Sequence, residues 1–242
     1  MQRILEGEDM QIVILAGGLG TRLRPITERM PKCMVPVDGK PFLEYQLELF
    51  SRHGVRDIVL CVGHLGEAVL EHFGDGSRFG VQIAYSWERQ GLLGTAGALK
   101  NAEPLLAPEF FVTYGDSYLL LDYQEIIRRF QGSDTLGMMV VYRNRDRLEP
   151  SNVVVRDGRV VSYDKTTRLP GMVYINEGLS ALSRRALDLI PDGEPATQEE
   201  FYRQLIARRE LLAYETQQRF YEIGSPRGLE EFRQLIAQGV PA

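Results

Sequence analysis

Cysteine is scarce in this 242-residue chain: Cys33 and Cys61 are too few for a disulfide framework. No stretch reads as a secretory signal, so a reducing cytoplasm is the expected compartment. The three histidines, His53, His64 and His72, lack the spacing of metal ligands and have no cysteine support, which excludes a zinc site. Long hydrophobic runs are missing too, so no span crosses a membrane as a helix. Positive charge is in deficit, with a formal net charge of -5 and no basic cluster, which argues against nucleic acid as a partner. No GxSxG elbow or Cys-His arrangement suggests covalent catalysis. There is no repeat, no low-complexity tract and no Pro/Ser-rich linker to divide the chain.

What is present is ordinary globular composition, 44% hydrophobic and 25% charged, in a chain long enough to bury roughly 70–75% of its extended surface. Strand-like and helix-like runs alternate through the first 140 residues or so, the pattern of a mostly parallel sheet flanked by helices. Strands are predicted at Gln11–Ala16, Asp57–Val62, Val81–Ser86, Phe110–Tyr114 and Thr135–Tyr142. Helices are predicted from Pro41 to before Gly54 and near Glu67–Phe73, Ala96–Leu106 and Tyr123–Phe130. Beyond Arg143 the rhythm becomes α+β. A hairpin is signalled around Asp157-Gly158, with a strand near Met172–Asn176 and helices near Arg184–Ile190 and Gln198–Arg208. A strand-rich piece at Leu211–Ile223 and a last helix from Pro226 to about Ala237 complete the chain. We therefore expect a polar leader over 1–9 and one domain over 10–242, in two parts that meet near 142. The last helix carries Leu229, Phe232, Leu235 and Ile236 on one side, a face for its own domain or, in a homodimer, for a second subunit. The former is expected.

The sharpest motif is LAGGLGTRLRP, Leu15 to Pro25, after an apolar, β-branched run. Gly17, Gly18 and Gly20 let the backbone turn so that its amides face phosphate oxygens. Two familiar phosphate loops fail on spacing. A dinucleotide fingerprint starting at Gly18 needs glycine at Leu23, and a P-loop starting at Gly17 needs Gly-Lys where Arg22-Leu23 stands. The loop instead carries its own Arg22, and Lys32 follows in a segment stiffened by Pro25, Pro31 and Pro36; a planar guanidinium and a compact ammonium complement a triphosphate. Asp116 ends an apolar strand in FFVTYGDSYL and suits a magnesium ligand, with Glu222 in FYEIGSP as the partner carboxylate. GLLGTAGALK, Gly91 to Lys100, is a glycine-rich helix entry at which Gly94 and Thr95 permit close approach of a base, and Glu88 precedes it at the pocket wall. Lys165 in SYDKTT suits a second phosphate, and Asn176-Glu177 suit sugar hydroxyls. Judged singly, these last three read as structural.

Taken in order, AGGLGTRLRPIT, MPKCMVPVDGKPFLEYQL, GTAGAL, YGDS, YDK, INEG and EIGSP resemble the sugar-1-phosphate nucleotidylyltransferases from about Met10 onward. The resemblance implies a GT-A-like α/β fold and the reaction of an NTP with a sugar 1-phosphate to give an NDP-sugar and pyrophosphate, assisted by Mg2+. It places Leu15, Ala16, Gly17, Gly18, Gly20, Thr21, Glu88, Gly94 and Thr95 on the nucleotide. It puts Arg22 and Lys32 on the triphosphate, Asp116 and Glu222 on the metal, and Lys165, Asn176 and Glu177 on the sugar phosphate. Glu222 stands where the family usually has Asp, and Ser151-Asn152 replace a common Tyr-Gly pair. PKCMVPVDGKPFLEY looks closest to the heptose- and mannose-1-phosphate guanylyltransferases. Uridylyl-, cytidylyl- and thymidylyltransferases, including the N-acetylmuramate 1-phosphate type, and a non-catalytic nucleotide-sugar-binding subunit are the alternatives.

Overall fold

A computed structural model describes residues 10–89 and 91–239; the expected leader, Met1 to Asp9, lies outside them. The chain opens with strand β1 (Gln11–Leu15), then a ribbon of β2 (Pro36–Val37) and β3 (Lys40–Pro41) leading into α1 (Phe42–Arg52). Next come β4 (Asp57–Val62), α2 (Gly66–Phe73), β5 (Gln82–Trp87), α3 (Gly94–Asn101), β6 (Glu109–Tyr114), β7 (Ser117–Leu119), α4 (Tyr123–Gln131) and β8 (Gly137–Tyr142). The second half holds β9 (Val153–Arg156), β10 (Arg159–Tyr163), β11 (Ile175–Ser183), α5 (Gln198–Ala207), β12 (Leu211–Thr216), β13 (Phe220–Glu222) and α6 (Pro226–Ala237). No helix among these residues is long and apolar enough to cross a membrane.

Among the described residues, nine strands form one mixed sheet in the order β5-β4-β1-β6-β11-β8-β12-β10-β9. The first four run parallel, β11 is antiparallel to both β6 and β8, and β12 runs parallel to β8. The fold is thus the mixed, mostly parallel α/β sheet that the residue pattern predicts. Helices cover both faces because the central strands carry apolar side chains on each: Ile12, Ile14 and Phe111 face α1, α2 and α4, while Val13, Val59 and Val112 face α3 and α5.

Two predicted pieces differ. The strand placed at Met172–Asn176 begins at Ile175 and runs to Ser183, because GLSALS, small and mixed in sequence, is held between β6 and β8 by tertiary pairing. The stretch at Arg184–Leu189 is a 3-10 helix rather than an α-helix. The short strand β7 and the β2–β3 ribbon carry no sequence signal of their own; β7 exists because β13 pairs with it across 100 residues.

A third core lies outside α1. Leu43, Leu47 and Phe50 of α1 point to the sheet, while Phe42, Tyr45 and Leu49 meet α6. Phe232 of α6 is fully buried among the rings of Phe42, Tyr45 and Tyr118, at centroid separations of 4.9, 5.5 and 5.0 Å. The apolar face of the last helix is therefore spent on its own domain.

Candidate active site

The parallel strands β1, β4, β5 and β6 end at one edge, and a cavity of about 230 Å³ opens there. Ligand crevices form beyond the carboxyl ends of strands in such sheets. Its lining brings together Leu15, Ala16, Gly17, Gly18, Gly20, Lys32, Glu88, Gly94, Thr95 and Asp116 from five separate stretches of sequence. Close packing explains the glycines. A Cβ on Gly17 would stand 2.8 Å from Glu88 Oε1 and 3.2 Å from the Gly63 nitrogen, whereas Gly18 faces open space, its backbone free to meet a ligand. Gly20 has φ +60, and the buried Thr27 fixes that turn by donating its hydroxyl to the Gly20 carbonyl at 2.8 Å.

Thr21 and Arg22 form an exposed 3-10 turn after the loop and do not line the cavity. Arg22 meets the site at its other edge, where a Cβ on Gly224 would lie 2.8 Å from Arg22 Nη2, 2.7 Å from Lys32 Nζ and 2.5 Å from Glu222 Oε2. Three charged groups, from residues 22, 32 and 222, thus surround one glycine. Lys32 also pairs with Asp116, both side chains less than one fifth exposed. The antiparallel pairing of β13 with β7 sets Glu222 opposite Ser117, and the Ile223 amide donates to the Asp116 carbonyl at 2.9 Å. The EIGSP turn is in this way delivered beside the GDS turn.

Two carboxylates beside a phosphate-facing loop have the oxygen chemistry that magnesium prefers, and this ion is commonly held by one or two carboxylates plus substrate phosphates. Asp116 and Glu222 fit that description. No group of three or more His, Cys, Asp or Glu side chains gathers as a metal cage among the described residues. The Glu222 carboxylate is also turned on its own chain, accepting from the Gly224 amide and from Ser225 Oγ, so it braces the start of α6 as well.

Glu88 and Thr95 hold the α3 end of the cavity in shape. Glu88 Oε2 accepts from the Leu93 amide at 2.7 Å, tying down the loop before α3, and burial raises its pKa above the ordinary carboxylate range. Thr95 Oγ1 accepts from the Gln198 amide at 2.8 Å, while the Ala196 carbonyl accepts from the amides of Ala96 and Gly97. The first turn of α3 is therefore committed to the segment before α5, and Gly94, at φ +72, allows that approach, since a Cβ there would be 2.6 Å from the Ala196 oxygen.

The sugar-side candidates do not all converge. Lys165 Nζ lies 5.6 Å from the centre of the Tyr114 ring and 6.0 Å from that of Tyr163. Desolvation lowers its pKa, Glu199 and Asp116 oppose that shift, and the charge of Arg22 adds to it, so Lys165 shares the field of Arg22 and Asp116. Asn176 donates to the Tyr163 hydroxyl at 3.4 Å and accepts from the Gly178 amide, on the side of β11 where Ser180 meets Tyr202 of α5. Glu177 is not brought to this group. Successive strand residues face opposite ways, and its carboxyl, 2% exposed and without a hydrogen-bond partner, lies under the sheet toward Tyr123. Burial pushes its pKa up to about 8. Ser151 and Asn152 serve the backbone instead, bonding Asp146 and Asn176.

Leu92 and Gly115, which follow predicted strands, also line the cavity, as do Cys33, Cys61, Ala98 and Tyr114, which sequence reading passed over. Burial pushes the Cys33 thiol up to about 12 and that of Cys61 higher still, so neither supplies a thiolate nucleophile. The alternation of FFVTY would have placed Tyr114 on a sheet face, but nothing local marks either cysteine.

Residues 11–234 match the profile of the family described as Nucleotidyl transferase. A D-glycero-alpha-D-manno-heptose 1-phosphate guanylyltransferase of Campylobacter jejuni is 30% identical over 92% of this chain and 98% of its own length. A UTP–glucose-1-phosphate uridylyltransferase of Synechocystis is 34% identical over 76% of the chain, which spans about half (52%) of that relative. HddC from Yersinia pseudotuberculosis, solved with GMP-PN, superposes with a TM-score of 0.78 at 28% identity, over 93% of this chain and 99% of its own. The inositol-1-phosphate CTP transferase of T. maritima has the same fold, with a TM-score of 0.78 at 23% identity over 96% of each chain. With its glycine loop, its convergent charges and nearly its whole length accounted for, this chain belongs to the nucleotidyl transferase family.

Proposed function

We propose that the protein transfers a nucleotidyl group from an NTP to a sugar 1-phosphate, releasing pyrophosphate, with GTP and heptose or mannose 1-phosphate as its substrates. The observation that carries this reading is the convergence of Arg22, Lys32 and Glu222 on Gly224, beside Asp116 and at the rim of the cavity. A phosphate oxygen of the sugar 1-phosphate attacks the α-phosphorus in line. A new P–O bond forms as the bond to the β-phosphate bridge breaks, and pyrophosphate leaves with the electron pair. No side-chain nucleophile is needed, because the attacking oxygen is already charged; alignment and charge neutralisation do the work.

Backbone amides of Gly17 to Gly20 cradle the nucleotide phosphates, and Arg22 and Lys32 meet the charge that grows on the leaving pyrophosphate. Lys165, beside Tyr114 and Tyr163, holds the sugar phosphate, and Asn176 faces the sugar. Asp116 and Glu222 would hold a Mg2+ ion, which when bound supplies charge stabilisation on the phosphate oxygens. Glu88 supports guanine over uracil, since a carboxylate accepts from the adjacent ring N–H and amino donors that guanine presents. The guanylyltransferase relatives support the same choice, while the uridylyltransferase relative keeps UTP in the panel.

The test is pyrophosphate release with four NTPs against heptose, mannose, glucose and N-acetylmuramate 1-phosphates. Turnover restricted to GTP, with Glu88→Gln eroding the preference for GTP over UTP, supports the full assignment. Turnover with UTP or dTTP alone overturns the base, and tight NDP-sugar binding without turnover on any pair overturns the enzyme.

A further inference from the structure

Gln46 lies on the sheet-facing side of α1, completely buried among Leu43, Leu47 and Phe50. Hydrocarbon would suit that place better, because an amide there loses its water and must recover hydrogen bonds from protein. Its Nε2 recovers two, donating to the Tyr114 carbonyl at 2.9 Å and to the Ser117 carbonyl at 2.6 Å, while its Oε1 has no partner. Those two carbonyls bracket Gly115 and Asp116. Tyr114 stands one residue past the ladder between β6 and β11, which ends at Thr113, so on that side no strand continues the pairing.

The same short turn is held from two other directions. The Gly115 amide donates to the Leu15 carbonyl of β1 at 3.0 Å, and the Asp116 carbonyl accepts from Ile223, next to β13. β1 therefore fixes the turn to the glycine loop and β13 fixes it to the EIGSP turn. Gln46 supplies the third anchor from below, a single side-chain amide joining both ends of the turn. We infer that Gln46 is a positioning residue for the reaction: its amide, donating once to each carbonyl, sets the backbone that aims the Asp116 carboxylate at Lys32 and the phosphate site. This rests on the role given to Asp116 above.

Gln46→Met keeps the volume and removes both donors. Its kcat for pyrophosphate release should fall about tenfold or more, the scale expected when a reacting group is displaced, with the nucleotide KM within about twofold of wild type. A residue that only supported the fold would lower Tm and leave kcat per folded molecule alone. The decisive measurement is a double-mutant cycle with Asp116→Ala. In that background Gln46→Met should have no further effect on kcat, yet should still lower Tm. If Asp116→Ala itself retains full kcat, the role of Asp116 falls. If Asp116→Ala is inactive while Gln46→Met keeps wild-type kcat, or if the two losses multiply independently, the role of Gln46 falls. Should Gln46→Met not fold, Gln46→Glu replaces it. Protonated, that side chain regains one O–H donor, so its kcat relative to wild type should rise as pH falls, and a flat ratio overturns the inference.

Discussion

Arg22 is exposed, about a hundred residues or more in sequence from the site's carboxylates Asp116 and Glu222, and without a cavity wall of its own. Its value lies in where its guanidinium ends, against Gly224 and beside Lys32. Arg22→Ala should fold normally, because a surface side chain on a 3-10 turn carries little stability. Its kcat should nonetheless drop on the order of 10²–10³-fold, the scale of losing one charge-stabilising donor; single-turnover pyrophosphate release checks this. Glu177 is the opposite case, a carboxyl that is buried and unpartnered. Its ordinary value is 4.5 and burial moves it to about 8 in the folded protein. Below pH 4.5 it is protonated in both states and adds nothing to the pH dependence. Between those values the unfolded chain ionises it while the fold keeps it neutral, so stability declines as pH rises, by up to about 1.4 kcal/mol per pH unit, and levels off above about pH 8. Urea unfolding of wild type and Glu177→Gln between pH 5 and 8 should give diverging stabilities, with the variant's decline the shallower.

At the scale of elements, legibility followed locality. The glycine loop, α1 and β4 were visible because their signals are turn glycines, a Pro at the helix entry and a short continuous apolar run, all read within a dozen residues. β7 was not, since SYL becomes a strand only when FYE arrives beside it. Gln46 was hidden in the same way, a polar letter on an apolar helix face whose partners lie 68 and 71 residues away. Asn176 and Glu177 were grouped because they are neighbours in sequence, and strand alternation separates them. The most consequential element is α6, whose Phe232 fills the gap between α1 and β7. Phe232→Ala should cost about 3–5 kcal/mol, as for other fully buried rings, and calorimetry would read it as a lower Tm. Because α6 begins at the turn that carries Glu222 and Gly224, this variant should also lose turnover at temperatures where it remains folded.

Across the whole molecule, the two parts foreseen from the sequence, up to about 142 and beyond it, share one sheet. β11 and β12 enclose β8, so strands of the second part are interleaved with the last strand of the first. The segment before α5 adds a second seam, capping α3 through Ala196 and meeting Thr95 through Gln198. A nucleotide that binds the folded cavity should therefore stabilise the whole chain as one cooperative unit, with no separate transition for either half. A GTP titration followed by scanning calorimetry should raise a single Tm, by an amount equivalent to about 2.7 kcal/mol at a hundredfold excess over Kd. Two resolved transitions would refute that unity.

The convergence on Gly224 has a last consequence, for synthesis. Residues 22 and 32 emerge from a ribosome some 200 residues before their partner turn, and α6 follows that turn. Chains are made in order, N-terminal parts collapsing first. A nascent or truncated chain can thus shape the glycine loop and much of the sheet while Arg22 and Lys32 face no counter-carboxylate from Glu222. On the proposed reading, competence for transfer waits until β13 and α6 dock, so that pyrophosphate release would report that the chain has been read through α6.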